Sequence, residues 1–325
     1  MGIQSKMSLF RENNRLLASA ILVAAAIVAG GLWMTERNLS RAAGSIPAAA
    51  TPDYGRHLLR DTARYLGPLH ENAEMRYSGS HLACASCHLD IGTRPGTLSL
   101  LETAGQYPRE SGRDGGVRDL RDRINGCMTR SMNGRELPRD SVEMIAMEQY
   151  ILGLREQYGV MSEIRRAVHE PPAFREPDRA ADPVAGEAVY AGKCAVCHGS
   201  DGAGLAATAN PSDGYVFPPL WGPDSFNNGA GMNRVLTAAR FIKARMPFGR
   251  PDLSDAEAYD VAAYINSQPR PQKPGLEKDY PDLTTKPIDS PYPPYADDFP
   301  HEQHKYGPYG PIRAYYESLK GKRTI

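Results

Sequence analysis

Cys84, Cys87 and His88 form one Cys-x-x-Cys-His run, and Cys194, Cys197 and His198 form another. Such a run attaches haem c: two thiols add to the vinyl groups of the porphyrin, and the adjacent imidazole reaches the iron from one face. The pattern predicts two covalently bound haem c groups. Cys84, Cys87, Cys194 and Cys197 are then the attachment points, and His88 and His198 the first axial ligands. Each iron needs a second axial ligand from elsewhere. Cys127 is the one cysteine of five that neither run consumes.

For the second haem, Met246 stands 48 residues after His198 and is followed by Pro247. A thioether is a soft ligand that raises the potential of haem iron. Lys243 is a rival, because a deprotonated amine can bind iron; Met232 reads as a core methionine. For the first haem the candidates are Met132, 44 residues after His88, and Cys127, 39 residues after it. A thiolate binds ferric iron more strongly than a thioether and lowers its potential. Arg118, Arg121, Arg123 and Arg130 flank Cys127 and should favour its thiolate. Residue types alone leave Cys127 and Met132 equally open.

The elements that must position these groups are short helices. Periodicity starts near His57 and again after Pro138, where Met144, Met147, Tyr150, Ile151 and Leu154 share an apolar face. Ser254 and Glu257 stand at capping-box spacing before the last periodic run. Ile151 lies nineteen residues after Met132, and Ile265 nineteen after Met246, so the halves read as an internal repeat. The predicted fold class is all-α: two cytochrome c-like domains in tandem, an N-terminal transmembrane helix and an extended C-terminal tail. The expected boundaries are 1–52 for anchor and linker, 53–170 for domain 1, 171–182 for a linker, 183–270 for domain 2 and 271–325 for a Pro/Tyr-rich tail. Residues 16–34 carry no charge and would span ~28 Å as a helix, close to a bilayer's hydrocarbon thickness. They predict a retained inner-membrane anchor, with a cleaved signal peptide as the alternative.

With 325 residues, 38 basic and 38 acidic, the chain has no net charge, which argues against nucleic acid as a partner. Haem c is attached outside the cytoplasm, so a periplasmic location is expected.

The run from Arg123 through Cys127, Arg130, Ser131 and Met132 to Gly134 resembles the haem-1 ligand segment of dihaem thiosulfate dehydrogenases. Pro218-Pro-Leu-Trp221-Gly-Pro, Asn228-Gly-Ala-Gly-Met232, Met246-Pro and Gln303-His-Lys-Tyr306-Gly-Pro resemble other segments of that family, and the match spans roughly residues 53 to 312. The Cys127 run also resembles the haem cytochrome of a thiosulfate-oxidising multienzyme system, from which the second-domain segments separate it. The resemblance implies His88/Cys127 ligation at haem 1 and His198/Met246 at haem 2. It implies an enzyme that joins two thiosulfates into tetrathionate, or runs the reverse, and passes two electrons to a cytochrome-type acceptor. Arg123 and Arg118 would then clamp the substrate anion beside haem 1, with Ser131 as a hydrogen-bond donor. In that family a lysine directly before the methionine can exchange as a ligand. Arg245 occupies that position here and cannot. The alternative is a membrane-tethered dihaem electron carrier without a substrate of its own.

Overall fold

The computed structural model describes residues 50–158 and 173–322. In chain order their α-helices are α1 (Pro52–Arg60), α2 (Thr62–Leu66), α3 (Leu120–Met128), α4 (Val142–Tyr158), α5 (Pro183–Lys193), α6 (Ala195–His198), α7 (Val235–Arg245), α8 (Asp255–Ser267), α9 (His301–Tyr306) and α10 (Gly310–Lys322). Two small antiparallel hairpins accompany them. One pairs β1 (Arg109–Ser111) with β2 (Gly116–Arg118), and the other pairs β3 (Leu205–Ala206) with β4 (Tyr215–Phe217).

Each haem motif sits in a lobe built on one helix crossing. In the first, Gly55 of α1 lies on α4 so closely that an added Cβ would fall 2.0 Å from the Ala146 carbonyl oxygen and 2.9 Å from Tyr150 Cβ. In the second, Gly186 of α5 lies on α8, where an added Cβ would fall 2.0 Å from the Asp260 oxygen and 2.9 Å from Tyr264 Cβ. Only a residue without a side chain lets two backbones approach this far. The repeated geometry places Tyr150 and Tyr264 at equivalent points. Leu58, Leu66, Met144 and Met147 close the first core, while Leu253, Tyr259, Val261 and Ile312 close the second.

Local chemistry fixes the helix starts. Thr51 caps α1 through Tyr54 N, and Pro52 supplies a preset φ at its first turn. Ser254 Oγ accepts from Glu257 N while the Glu257 carboxylate accepts from Ser254 N, a complete capping box for α8. Asp119 and Asp122 form the same reciprocal pair at the start of α3.

The expected fold class needs correction. No helix among the described residues is long and apolar enough to cross a membrane, so the transmembrane helix is not part of the observed architecture. Residues 16–34, where it was expected, lie outside the described residues. The two hairpins make the structure mostly helical rather than purely so. The C-terminal segment is also not simply extended, because α9 and α10 form within it. Tyr306 of α9, and Tyr309, Ile312 and Tyr316 before and within α10, pack into the second core, which supplies what sequence periodicity lacks. Before those helices the segment crosses the first lobe, where Tyr280 N donates to Arg113 O at 2.7 Å.

Gly55→Ala and Gly186→Ala should each force a helix crossing apart, at a cost of about 3 kcal/mol. Chemical unfolding of the two variants measures this, and the same substitution at Gly153, inside α4 where an added Cβ meets nothing within 4 Å, should instead stabilise by up to about 1 kcal/mol.

Candidate functional site

A cavity of about 580 Å³ opens in the first lobe. Cys84, Cys87 and His88 line it, as do Cys127, Ser131 and Met132. Leu59, Leu82, Leu100, Met147 and Ile151 supply apolar wall. Burial pushes the Cys84 and Cys87 thiols up, to about 11 and about 12. The Nδ1 atom of His88 is bonded to the Leu98 carbonyl oxygen at 2.7 Å, which fixes the ring and leaves Nε2 for another partner. The second lobe repeats the device: His198 Nδ1 is bonded to Pro218 O at 2.8 Å. These residues suit a covalently held haem in each lobe, with two thiols, one oriented imidazole and an apolar wall. None of the five cysteines is in a disulfide.

Helix α3 brings the sulfur of Cys127 to this point. Its capping pair sets the helix phase, and Arg123 then stands one turn before Cys127 on the same face. Arg123 Nη1 donates to Cys127 Sγ at 2.7 Å. Burial opposes the thiolate, but the Arg123 charge and a hydrogen bond from His88 outweigh it and bring the thiol down to about 6. Met132 also lines the cavity, though its chain has left the helix and its carbonyl accepts from Gly79 N and from Ser80 Oγ.

The other arginines near Cys127 are engaged elsewhere. Arg118 pairs with Asp114, and Arg121 turns away to Glu148 at 2.7 Å. Arg130 is 7% exposed and bonds Asp279 at 2.8 Å, reaching Gly229 O as well. Arg118, Arg123 and Ser131 all face the one cavity, but Arg118 arrives with its charge offset. Sequence reasoning missed Arg109, Arg113 and Arg234, which line the same space. Arg113 touches the Tyr280 hydroxyl, and Arg109 lies over the Tyr107 ring at 5.1 Å. The β1–β2 hairpin delivers Arg109, Arg113 and Arg118 together. Its turn is marked in the sequence by Gly112 and the Asp114-Gly115-Gly116 run.

The second lobe closes around the haem-1 cavity as well. Asn227 donates from its backbone to Arg130 O and from Nδ2 to Thr129 O, and Phe226 and Met232 line the cavity. Met246 caps α7 and packs against the second core. Lys243 donates to Leu253 O at 2.6 Å and faces Asp255, so its ammonium is already engaged. Val196, inside the second haem run, is 87% exposed.

Residues 75–155 match the family described as SoxA/TsdA, cytochrome c domain, and residues 181–265 match Cytochrome C oxidase, cbb3-type, subunit III. A thiosulfate dehydrogenase of Allochromatium vinosum is 38% identical over 278 residues, which cover 80% of this chain and 97% of that protein. One from Stutzerimonas stutzeri is 41% identical over 224 residues, covering 68% of each. The solved thiosulfate dehydrogenase (TsdBA) of Marichromatium purpuratum, in its as-isolated form, is 34% identical with a TM-score of 0.59. That match covers 69% of this chain and 47% of the other.

The Arg130–Asp279 pair joins the Cys127 segment to the C-terminal segment in a buried setting. Arg130→Ala should therefore destabilise the protein by about 3 kcal/mol or more, because Asp279 is left buried without its main cation. Asp279→Asn added to that variant should recover part of the loss in a double-mutant cycle followed by chemical unfolding.

Proposed function

This chain belongs to the family of dihaem thiosulfate dehydrogenases, and we propose on that premise that it joins two thiosulfates into one tetrathionate, releasing two electrons. The single observation that carries the reading is the Cys127 sulfur held between His88 and Arg123 at the wall of an arginine-lined cavity. A carrier without a substrate has no use for that arrangement. Cys127 and His88 would be the axial ligands of haem 1, with His198 and Met246 those of haem 2. When bound, the two haems supply the pair of one-electron acceptors that the reaction needs and the route onward to a cytochrome-type protein.

The side chains have separate tasks. Two thiosulfate dianions repel each other, and guanidinium charge offsets this best where no carboxylate has cancelled it. Among the described residues Arg123 pairs with no carboxylate, although the Cys127 sulfur takes up part of its charge, and Arg109 at the hairpin has no carboxylate partner. Arg118, paired with Asp114, orients more than it attracts. Ser131 contributes a hydroxyl donor to a substrate oxygen. The apolar wall excludes water and so keeps these charges effective. The exposed Val196 fits a second haem whose edge meets the electron acceptor, and attachment of haem c fits a periplasmic protein.

The purified dihaem protein should form tetrathionate when given thiosulfate and ferricyanide; no tetrathionate, with both haems present and reducible by dithionite, would rule the reading out. Cys127→Met should raise the haem-1 potential and remove most turnover. Arg123→Gln should lower kcat/KM by about a hundredfold while leaving haem content unchanged.

A further inference from the structure

Tyr280 has a φ of +62°, in the left-handed region that a bulky side chain rarely enters. Such strain persists where the surrounding structure imposes it. The surroundings here are the β1–β2 turn. Tyr280 N donates to Arg113 O at 2.7 Å, and the Thr285 hydroxyl donates to Gly112 O at 3.3 Å. A Cβ on Gly112 would fall 2.6 Å from Thr285 Oγ1, so residues 280–285 sit directly on the turn that carries Arg113. Behind them Lys286, 4% exposed, stands 4.5 Å from the Tyr292 ring centre and 5.9 Å from that of Tyr280. With its backbone so held, the Tyr280 hydroxyl accepts from Arg113 Nε at 3.4 Å and from Nη2 at 3.3 Å. Both residues line the haem-1 cavity with Arg123 and Cys127.

The chemistry of that partner matters. A neutral hydroxyl fixes a guanidinium without cancelling its charge, whereas a carboxylate in the same place would do both. An Asp279 oxygen stands 3.9 Å from Arg113 Nε, but Asp279 already accepts from Arg130 at 2.8 Å and from the Tyr292 hydroxyl at 2.9 Å. Arg113 also acts on Arg123: the attraction of Cys127 dominates there, and the Arg113 charge opposes it. Two like charges facing one cavity repel, and a bound dianion offsets that repulsion.

We propose that Tyr280 is a positioning residue for the substrate anion: its phenol holds the Arg113 guanidinium at the wall of the haem-1 cavity with the charge still available to a sulfur oxyanion. This deepens the thiosulfate reading of that cavity and rests on it. It gives the C-terminal segment, which carries neither haem run, a part in substrate affinity.

The test uses the complete dihaem protein and two readouts. One is the thiosulfate–ferricyanide assay. The other is calorimetric titration of the oxidised protein with sulfate, a dianion that is not turned over. Tyr280→Phe removes one oxygen and keeps the ring. It should raise KM for thiosulfate and weaken sulfate binding by about tenfold, with kcat changed by less than about twofold. Tyr280→Glu should weaken sulfate binding further, because a carboxylate there cancels the Arg113 charge. Arg113→Gln should cost at least as much as Tyr280→Phe, and the double variant should be no worse than Arg113→Gln alone, since Tyr280 acts through Arg113. Haem content and melting temperature check that each variant is folded. Unchanged KM and sulfate affinity in Tyr280→Phe would overturn the inference, as would a double variant in which the two losses add. Tetrathionate formed by Tyr280→Phe at the wild-type rate and KM would sink the positioning role and leave the reaction itself standing.

Discussion

One short helical turn carries the chemistry proposed for the first lobe. Arg123 and Cys127 are four residues apart on α3, and that spacing puts a guanidinium on a sulfur at 2.7 Å. A thiol in an apolar wall would otherwise keep its proton, because burial disfavours its anion. Here the local cation reverses the balance. The sulfur is then an anionic donor at a place where the neighbouring imidazole is already oriented. The Asp119–Asp122 capping pair matters for the same reason, since it sets where the helix begins and so which residues face the cavity.

The arginines around the site are less alike than their number suggests. Arg118, Arg121 and Arg130 meet Asp114, Glu148 and Asp279. These three serve mainly to hold the hairpin, α4 and the C-terminal segment in place. Arg123 has no carboxylate partner among the described residues; its partner is the Cys127 sulfur, one turn on.

Much of the haem architecture was legible because its chemistry is local. Five residues define each attachment run, and the shared spacing to Ile151 and Ile265 reflects the matched crossings at Gly55 and Gly186. Residue types left Cys127 and Met132 equally open, and both line the cavity; what they could not show is that Cys127 lies on the last turn of α3, one turn from Arg123, and Met132 beyond it. The arginine cluster was over-read for a related reason. Asp279 stands 149 residues from Arg130, and no local pattern announces such a pair. Helices α9 and α10 were missed because tertiary burial, not periodicity, makes them. The expected membrane span went unsupported, as the described helices are too short or too polar for it.

The bond between Arg130 and Asp279 spans 149 residues of sequence, so one wall of the haem-1 cavity is supplied by the far end of the chain. Tyr280, next to Asp279, lines that cavity and carries the Arg113 guanidinium on its hydroxyl. A truncation before residue 279 would therefore leave both haem runs intact in sequence and the first cavity without part of its wall.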